Sequence, residues 1–317
     1  MSWIKTSCRD TGTLSPAGTK SQEIDAIHSV AGPLALFEWW HLLSLDAPTI
    51  AALWAWTFAR VAHVSLPLHA PLLLALGTWL FYVADRILDG IRLPSSAHLR
   101  KRHYFHSRHR STFLAAATVV SCVLVWLILT RTTSSVRGED AVLLVIAMSY
   151  FVFIHVPYGL EMRTKNWFPK EMAVGIIFAA ATAAPAWSRT PKSHTILMPA
   201  VLLFAALCWL NCVAIETWEH SSIPTHTDTL DPHVTTRFLG SRLPAASVTI
   251  ALVSLTTALY AFLHFQTALA ACCIAALSSA LLFLALDTAR RSMSSIQIRI
   301  AVDAALLTPL FVLPFIC

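Results

Sequence analysis

Residues 266–286 read QTALAACCIAALSSALLFLAL, a stretch without a single charged side chain. As an α-helix it would be about 30 Å long, the thickness of a bilayer's hydrocarbon layer. The pattern recurs. Runs at about 46–66, 68–90, 113–131, 140–160, 169–188, 196–219, 244–264 and 298–316 are likewise rich in Leu, Ala, Val and Ile. The reading is an all-α, polytopic membrane protein with about nine transmembrane helices. Residues 1–33 form a polar, basic tail without the apolar core of a signal peptide. Residues 34–317 form one transmembrane domain. It opens on LALFEWWHLLSL (34–45), which carries Glu38 and His41 and predicts a helix lying in the membrane interface.

Composition agrees. Of 317 residues 56% are hydrophobic and 13% charged, and mean hydropathy is +0.63. Soluble domains carry about 25% charged residues. Glycine is scarce, at 9, which argues against a Gly-rich nucleotide loop. Seven cysteines show no zinc or disulfide spacing, and Cys317, as the last residue, is no prenylation box. The net charge of +6 comes from short loops between apolar runs, which points to membrane orientation and not to nucleic acid. Loops after even-numbered spans hold Arg92, Arg100, Lys101, Arg102, Arg108, Arg110, Arg163, Lys165, Lys170, Arg237, Arg242, Arg290, Arg291 and Arg299. The opposite side has Arg131, Arg137, Arg189 and Lys192. The imbalance predicts that the N-terminus and the even loops are cytoplasmic.

Ionisable groups at membrane depth are costly and therefore mark function. Asp85 and Asp89, at the end of the second span, are four apart and share a helical face. Two such carboxylates repel unless a cation joins them, and Mg²⁺ suits them because it shares its shell between carboxylates, water and phosphate. An ordinary helix end neutralised by Arg86 and Arg92 would read the same way. The sixth span ends NCVAIETWEH, placing Asn211, Glu216 and Glu219 on neighbouring turns. Both spans end on the predicted cytoplasmic side, so the two clusters can face one cavity mouth. With the basic loops, and with Arg60, Arg92, Arg163, Lys165 and Lys170 as candidate cations, they describe a diphosphate site.

Two acidic clusters ending spans two and six of nine resemble the UbiA superfamily of intramembrane prenyltransferases, over nearly the whole chain from SLDAPTIAALWAW to RIAVDAALLTPL. The family's first motif reads NDxxDxxxD; here FYVADRILD keeps Asp85 and Asp89, with Phe81 and Tyr82 at the first two positions. The second motif departs as well, with Asn211, Glu216 and Glu219 and no matching Tyr. The Tyr-x-x-x-Lys-Arg stretch survives only as Tyr158 and Arg163, with Met162 for Lys. These departures resemble the terpene-cyclase branch. That branch implies Mg²⁺-dependent ionisation of farnesyl diphosphate and cyclisation to a sesquiterpene of β-trans-bergamotene type. In a eukaryote it implies the endoplasmic reticulum. The resemblance implies Asp85, Asp89, Asn211, Glu216 and Glu219 as metal ligands. Phe81, Tyr82 and Trp209 are the aromatics expected to shape a cation. Alternatives are transfer of the prenyl group to an aromatic or quinone-precursor acceptor, or a transporter or scaffold without chemistry. Arg299 and Asp303, four apart, predict a structural salt bridge. His98, His103, His106 and His109 are too loosely spaced for a convincing zinc site.

Overall fold

In a computed structural model the protein is described over residues 33–92, 101–155, 169–190, 194–220 and 234–315, and every regular element there is helical. The helices are α1 (Pro33–Leu42), α2 (Asp46–Val61), α3 (His69–Arg92), α4 (Lys101–Arg108), α5 (Arg110–Arg131) and α6 (Ser134–His155). They continue with α7 (Lys170–Trp187), α8 (His194–His220), α9 (Val234–Gly240), α10 (Leu243–Leu263), α11 (Thr267–Ala289), α12 (Ser295–Ala304) and α13 (Pro309–Val312). The chain divides into two units, before and after the Trp39–Trp40 bond, and the second holds the candidate site described below.

Among the described residues, six segments are long and apolar enough to cross a membrane: His69–Asp89, Arg110–Arg131, His194–Trp218, Leu243–Leu263, Thr267–Ser292 and Ser295–Val312. A seventh arises if the bent pair Ala35–Leu42 and Asp46–Val61 counts as one span. Helices also stand where the other two of the nine expected spans were placed, α6 and α7, but they fall outside this set. Charge near their N-terminal ends explains it: Arg137, Glu139 and Asp140 fall in the first two turns of α6, and Lys170 and Glu171 open α7. The outer face of α5 exposes Val119, Val125, Trp126 and Leu129 by more than half each. Such a surface suits lipid, not water.

The core lies among α2, α7, α8, α10 and α11. Trp54 is fully buried and stacks on Phe204 at 4.3 Å between centroids. Its indole N–H donates to the Leu306 carbonyl at 2.8 Å, one of the carbonyls released where the chain breaks between α12 and α13. Small residues let neighbouring helices approach closely: Ser247, Ala251, Ser254, Ala258 and Ala261 form one buried stripe of α10, facing α11. A smaller cluster, Val83, Ile87 and Phe113 with Trp79 and Phe105, joins α3 to α4 and α5.

Two helices meet backbone to backbone at Gly175 of α7. A Cβ there would lie 2.8 Å from the Trp209 backbone nitrogen of α8, an atom that cannot swing away. Gly175→Ala should therefore lower stability by about 1–3 kcal/mol. Gly77→Ala on α3, with open space around it, should be neutral or slightly stabilising. Thermal unfolding of both variants in detergent checks the contrast.

Candidate functional site

The chain between α1 and α2 turns on a buried residue of unusual conformation. Ser44 has φ 61°, in the left-handed region normally left to glycine. The Ser44 N–H bonds the His41 carbonyl at 3.1 Å and the Leu45 N–H bonds the Trp40 carbonyl at 2.9 Å. These two bonds form the Schellman ending of a helix. Serine in place of glycine supplies a hydroxyl, and that hydroxyl is used. Ser44 Oγ accepts from Arg86 Nη1 at 2.5 Å and stands 3.2 Å from His106 Nε2.

Arg86, on α3, is 2% exposed. Its guanidinium also donates to the His41 carbonyl at 3.0 Å and stands 3.5 Å from Asp46 Oδ2. Asp46 is buried in the first turn of α2, with the Ala47 N–H on its other oxygen at 3.0 Å. His41 Nδ1 lies 2.8 Å from Asp46 Oδ2 and 3.7 Å from Asp303 Oδ2 of α12. Asp303 Oδ1 in turn accepts from Asn211 Nδ2 of α8 at 3.2 Å. Asp46, Asp303, Asn211 and Tyr82 help to line a partly open cavity of about 40 Å³, together with Gly175, Phe178, Cys208 and Cys212. That is room for an ion or for one or two waters.

A second polar group lies beside the first. Lys170 Nζ is 3.7 Å from Glu171 and 3.9 Å from Glu216 Oε2. Glu171 is buried and accepts from Thr236 Oγ1 of α9 at 2.8 Å. The Tyr150 hydroxyl of α6 donates to the Lys170 carbonyl at 2.8 Å. Tyr150 also lies close enough to Asp85 and Glu171 to feel their charges. Cys212 bridges the two groups, within electrostatic reach of Asp303, Glu171, Lys170 and Glu216.

The rotation of α3 decides which way its acids face. At about 100° per residue, the order around the helix is Phe81, Asp85, Asp89, Tyr82, Arg86, Trp79, Val83, Ile87. Phe81 meets Phe151 of α6 edge-on at 5.8 Å. Tyr82 lines the cavity. Arg86 grips the turn at 41–46, and Trp79 Nε1, two turns earlier, donates to the Leu43 carbonyl of the same turn at 3.0 Å. Val83 and Ile87 pack towards α4 and α5. Asp85 and Asp89, both half-buried, fall in the sector between α6 and the cavity.

The candidates from sequence therefore separate. Asp85, Asp89, Asn211, Glu216, Lys170 and Tyr82 lie at one end of the bundle. Phe81 faces α6, and Trp209 packs against the main core. Arg60 is in the last turn of α2, about 21 Å along that helix from Asp46. It lines a different cavity, of about 370 Å³, with Trp56 and His63. Arg163 and Lys165 lie outside the described residues, as do the side chains of Arg92 and Glu219. Of the loop histidines, His106 stacks on Phe113 at 4.0 Å and His109 packs on Phe105 at 4.6 Å. Sequence reasoning did not single out Ser44 or Asp46, read His41 only as part of an interfacial helix, and for Asp303 named Arg299 but not the neighbours His41 and Asn211 that the structure adds. No protein-family model, curated protein or solved structure matches the chain.

Breaking a buried ion pair strands a charge. Arg86→Met should cost about 3–5 kcal/mol. Lys170→Met, where the side chain is 60% exposed, should cost under about 1 kcal/mol. Ser44→Gly should also destabilise, by about 1–2 kcal/mol, even though glycine suits the backbone, because the Arg86 and His106 contacts are lost. Unfolding by heat or denaturant in detergent would rank the three.

Proposed function

We propose that this is a membrane-embedded, Mg²⁺-dependent terpene cyclase. It ionises farnesyl diphosphate and cyclises the resulting allyl cation, releasing diphosphate. The observation that carries the reading is Glu216 beside Lys170 at 3.9 Å, with the Lys170 carbonyl held by Tyr150 of α6 and with Asp85 and Asp89 half-buried on the sector of α3 between α6 and the cavity. The donors fit the metal: Asp85, Asp89 and Glu216 offer hard carboxylate oxygens, with Glu219 following one turn on. Bound there, Mg²⁺ would neutralise charge on the departing diphosphate. Lys170, half free to solvent, is placed to take a phosphate oxygen from Glu216's side. Tyr82 presents its ring to the cavity beside Arg86, 5.8 Å from the guanidinium carbon. The same ring, with Phe178, would shield a carbocation from water and stabilise it by its face.

Nine spans, a UbiA-like bundle and a cytoplasmic mouth belong to this proposal. The helices standing at all nine expected positions support them, as does the excess of Lys and Arg in the even loops. A C15 chain needs a cavity of several hundred Å³, so binding must part the helices around the present 40 Å³ space.

Membranes containing the protein, given farnesyl diphosphate and Mg²⁺ without an acceptor, should release a cyclic hydrocarbon into the headspace. Asp89→Ala and Glu216→Gln should each lower that release on the order of 10²-fold or more. Turnover only after an aromatic acceptor is added would make the protein a prenyltransferase. No turnover with any prenyl diphosphate would leave a transporter or scaffold.

A further inference from the structure

The helices that carry the two acidic clusters are not principal packing partners. α3 packs on α2, α4, α5 and α7, whereas α8 packs on α7, α11, α10, α2 and α12. The spacing between Asp85/Asp89 and Glu216/Glu219 must therefore be set by what lies between. One continuous chain of polar contacts spans that gap. It runs from Arg86 of α3 to Asp46 (3.5 Å), to His41 (2.8 Å), to Asp303 (3.7 Å) and to Asn211 of α8 (3.2 Å). All five side chains are buried or nearly so; Asp303, the most exposed, has 16% of its side chain accessible. Arg86 directly follows Asp85, and Asn211 precedes Glu216 on the same helix by little more than one turn.

We infer that Arg86, Asp46, His41, Asp303 and Asn211 form a positioning relay that locks the two acid-bearing helices at the separation a shared divalent cation needs. The inference rests on the metal reading above and extends it to Arg86, Asp46, His41 and Asp303, which lie outside the ligand set expected from sequence; Asn211, where the relay ends, belongs to that set. Charged partners suit the task. The links at Arg86–Asp46 and Asn211–Asp303 are hydrogen bonds, those through His41 are close ion-pair distances, and in a dry interior a slipped helix would strand a charge. Apolar packing alone would tolerate such a slip. The relay also sets rotation as well as distance, because Arg86 and Trp79 hold the same turn from two levels of α3.

The test is Mn²⁺ binding to the purified full-length protein in detergent with inorganic diphosphate, followed by electron paramagnetic resonance of the free ion. It needs no turnover. Asp85→Asn should remove the site. Asp46→Asn and Asp303→Asn should keep the stoichiometry and weaken affinity about tenfold or more. Asp303→Asn is the milder change, and it stands alone if Asp46→Asn does not fold. Ser279→Ala removes an equally buried hydroxyl contact outside the relay, the one with Thr308 at 2.7 Å, and should leave affinity unchanged. Wild-type affinity in Asp303→Asn, beside a lost site in Asp85→Asn, would overturn the relay and leave the metal reading standing. A wild-type protein that binds no Mn²⁺, or an Asp85→Asn variant that binds normally, would overturn the metal reading and the relay with it.

Discussion

Asp46 is a carboxylate with almost no access to solvent, and the end of the bundle around it supplies its polar partners. A lone carboxylate in such a place would be prohibitively costly. Arg86 and His41 meet one of its oxygens and the Ala47 N–H the other. Meeting that demand fixes the α1–α2 turn, the left-handed Ser44 and the rotation of α3. Because the rotation of α3 is fixed, Asp85 and Asp89 are aimed as well. A requirement of burial thus becomes a geometric property of the candidate site.

The neighbouring acids follow the same logic with weaker partners. Glu171 has Thr236 and Lys170, Glu216 has Lys170, and Asp287 of α11 holds Trp218 Nε1 at 3.0 Å and Arg290 at 3.2 Å. The gradation is informative. Asp46 is closed in by fixed partners. Glu216 meets one long, largely exposed lysine across 3.9 Å. An acid already saturated by rigid donors has little left to offer a ligand, whereas an acid with a movable partner can exchange it. Chemistry is therefore better assigned to the Glu216 side and support to the Asp46 side.

The helical class and the positions of the long helices were legible because hydropathy over about 20 residues is a local property. The acids of α3 and α8 were legible for a similar reason, as charge inside apolar sequence. Asp46 escaped notice because an acid in a first helical turn is ordinary. His41 passed as an interfacial residue in an aromatic stretch. Arg86 was visible only as a neighbour that might neutralise Asp85, yet its contacts are with His41, Ser44 and Asp46. Asp303 has Arg299 four residues before it, and that spacing hid the partners supplied by α1 and α8. Each of these residues is defined by pairing across long separations, for which a single sequence carries no periodic signal. A chain with 9 glycines ends three helices on Ser44, His63 and Phe265 at positive φ, so a search for glycine stops would miss those turns.

The two helices that carry the acids are held in different ways. Half of the apolar stretch of α8 is buried, as is half of that of α11, against 11% for α5 and 22% for α3. The wall formed by α8 is anchored through Trp54, Phe204 and the Gly175 crossing, where even one added carbon collides with backbone. The wall formed by α3 meets α6 at the ring contact of Phe81 with Phe151, packs through Val83 and Ile87 towards α4 and α5, and is held by the polar grips of Arg86 and Trp79. Close apolar packing therefore fixes α8 on its own, whereas α3, with most of its length outside the core, depends more on its polar ties to the turn between α1 and α2. On the relay proposed above, those ties are what would keep Asp85 and Asp89 in register with Asn211 and Glu216.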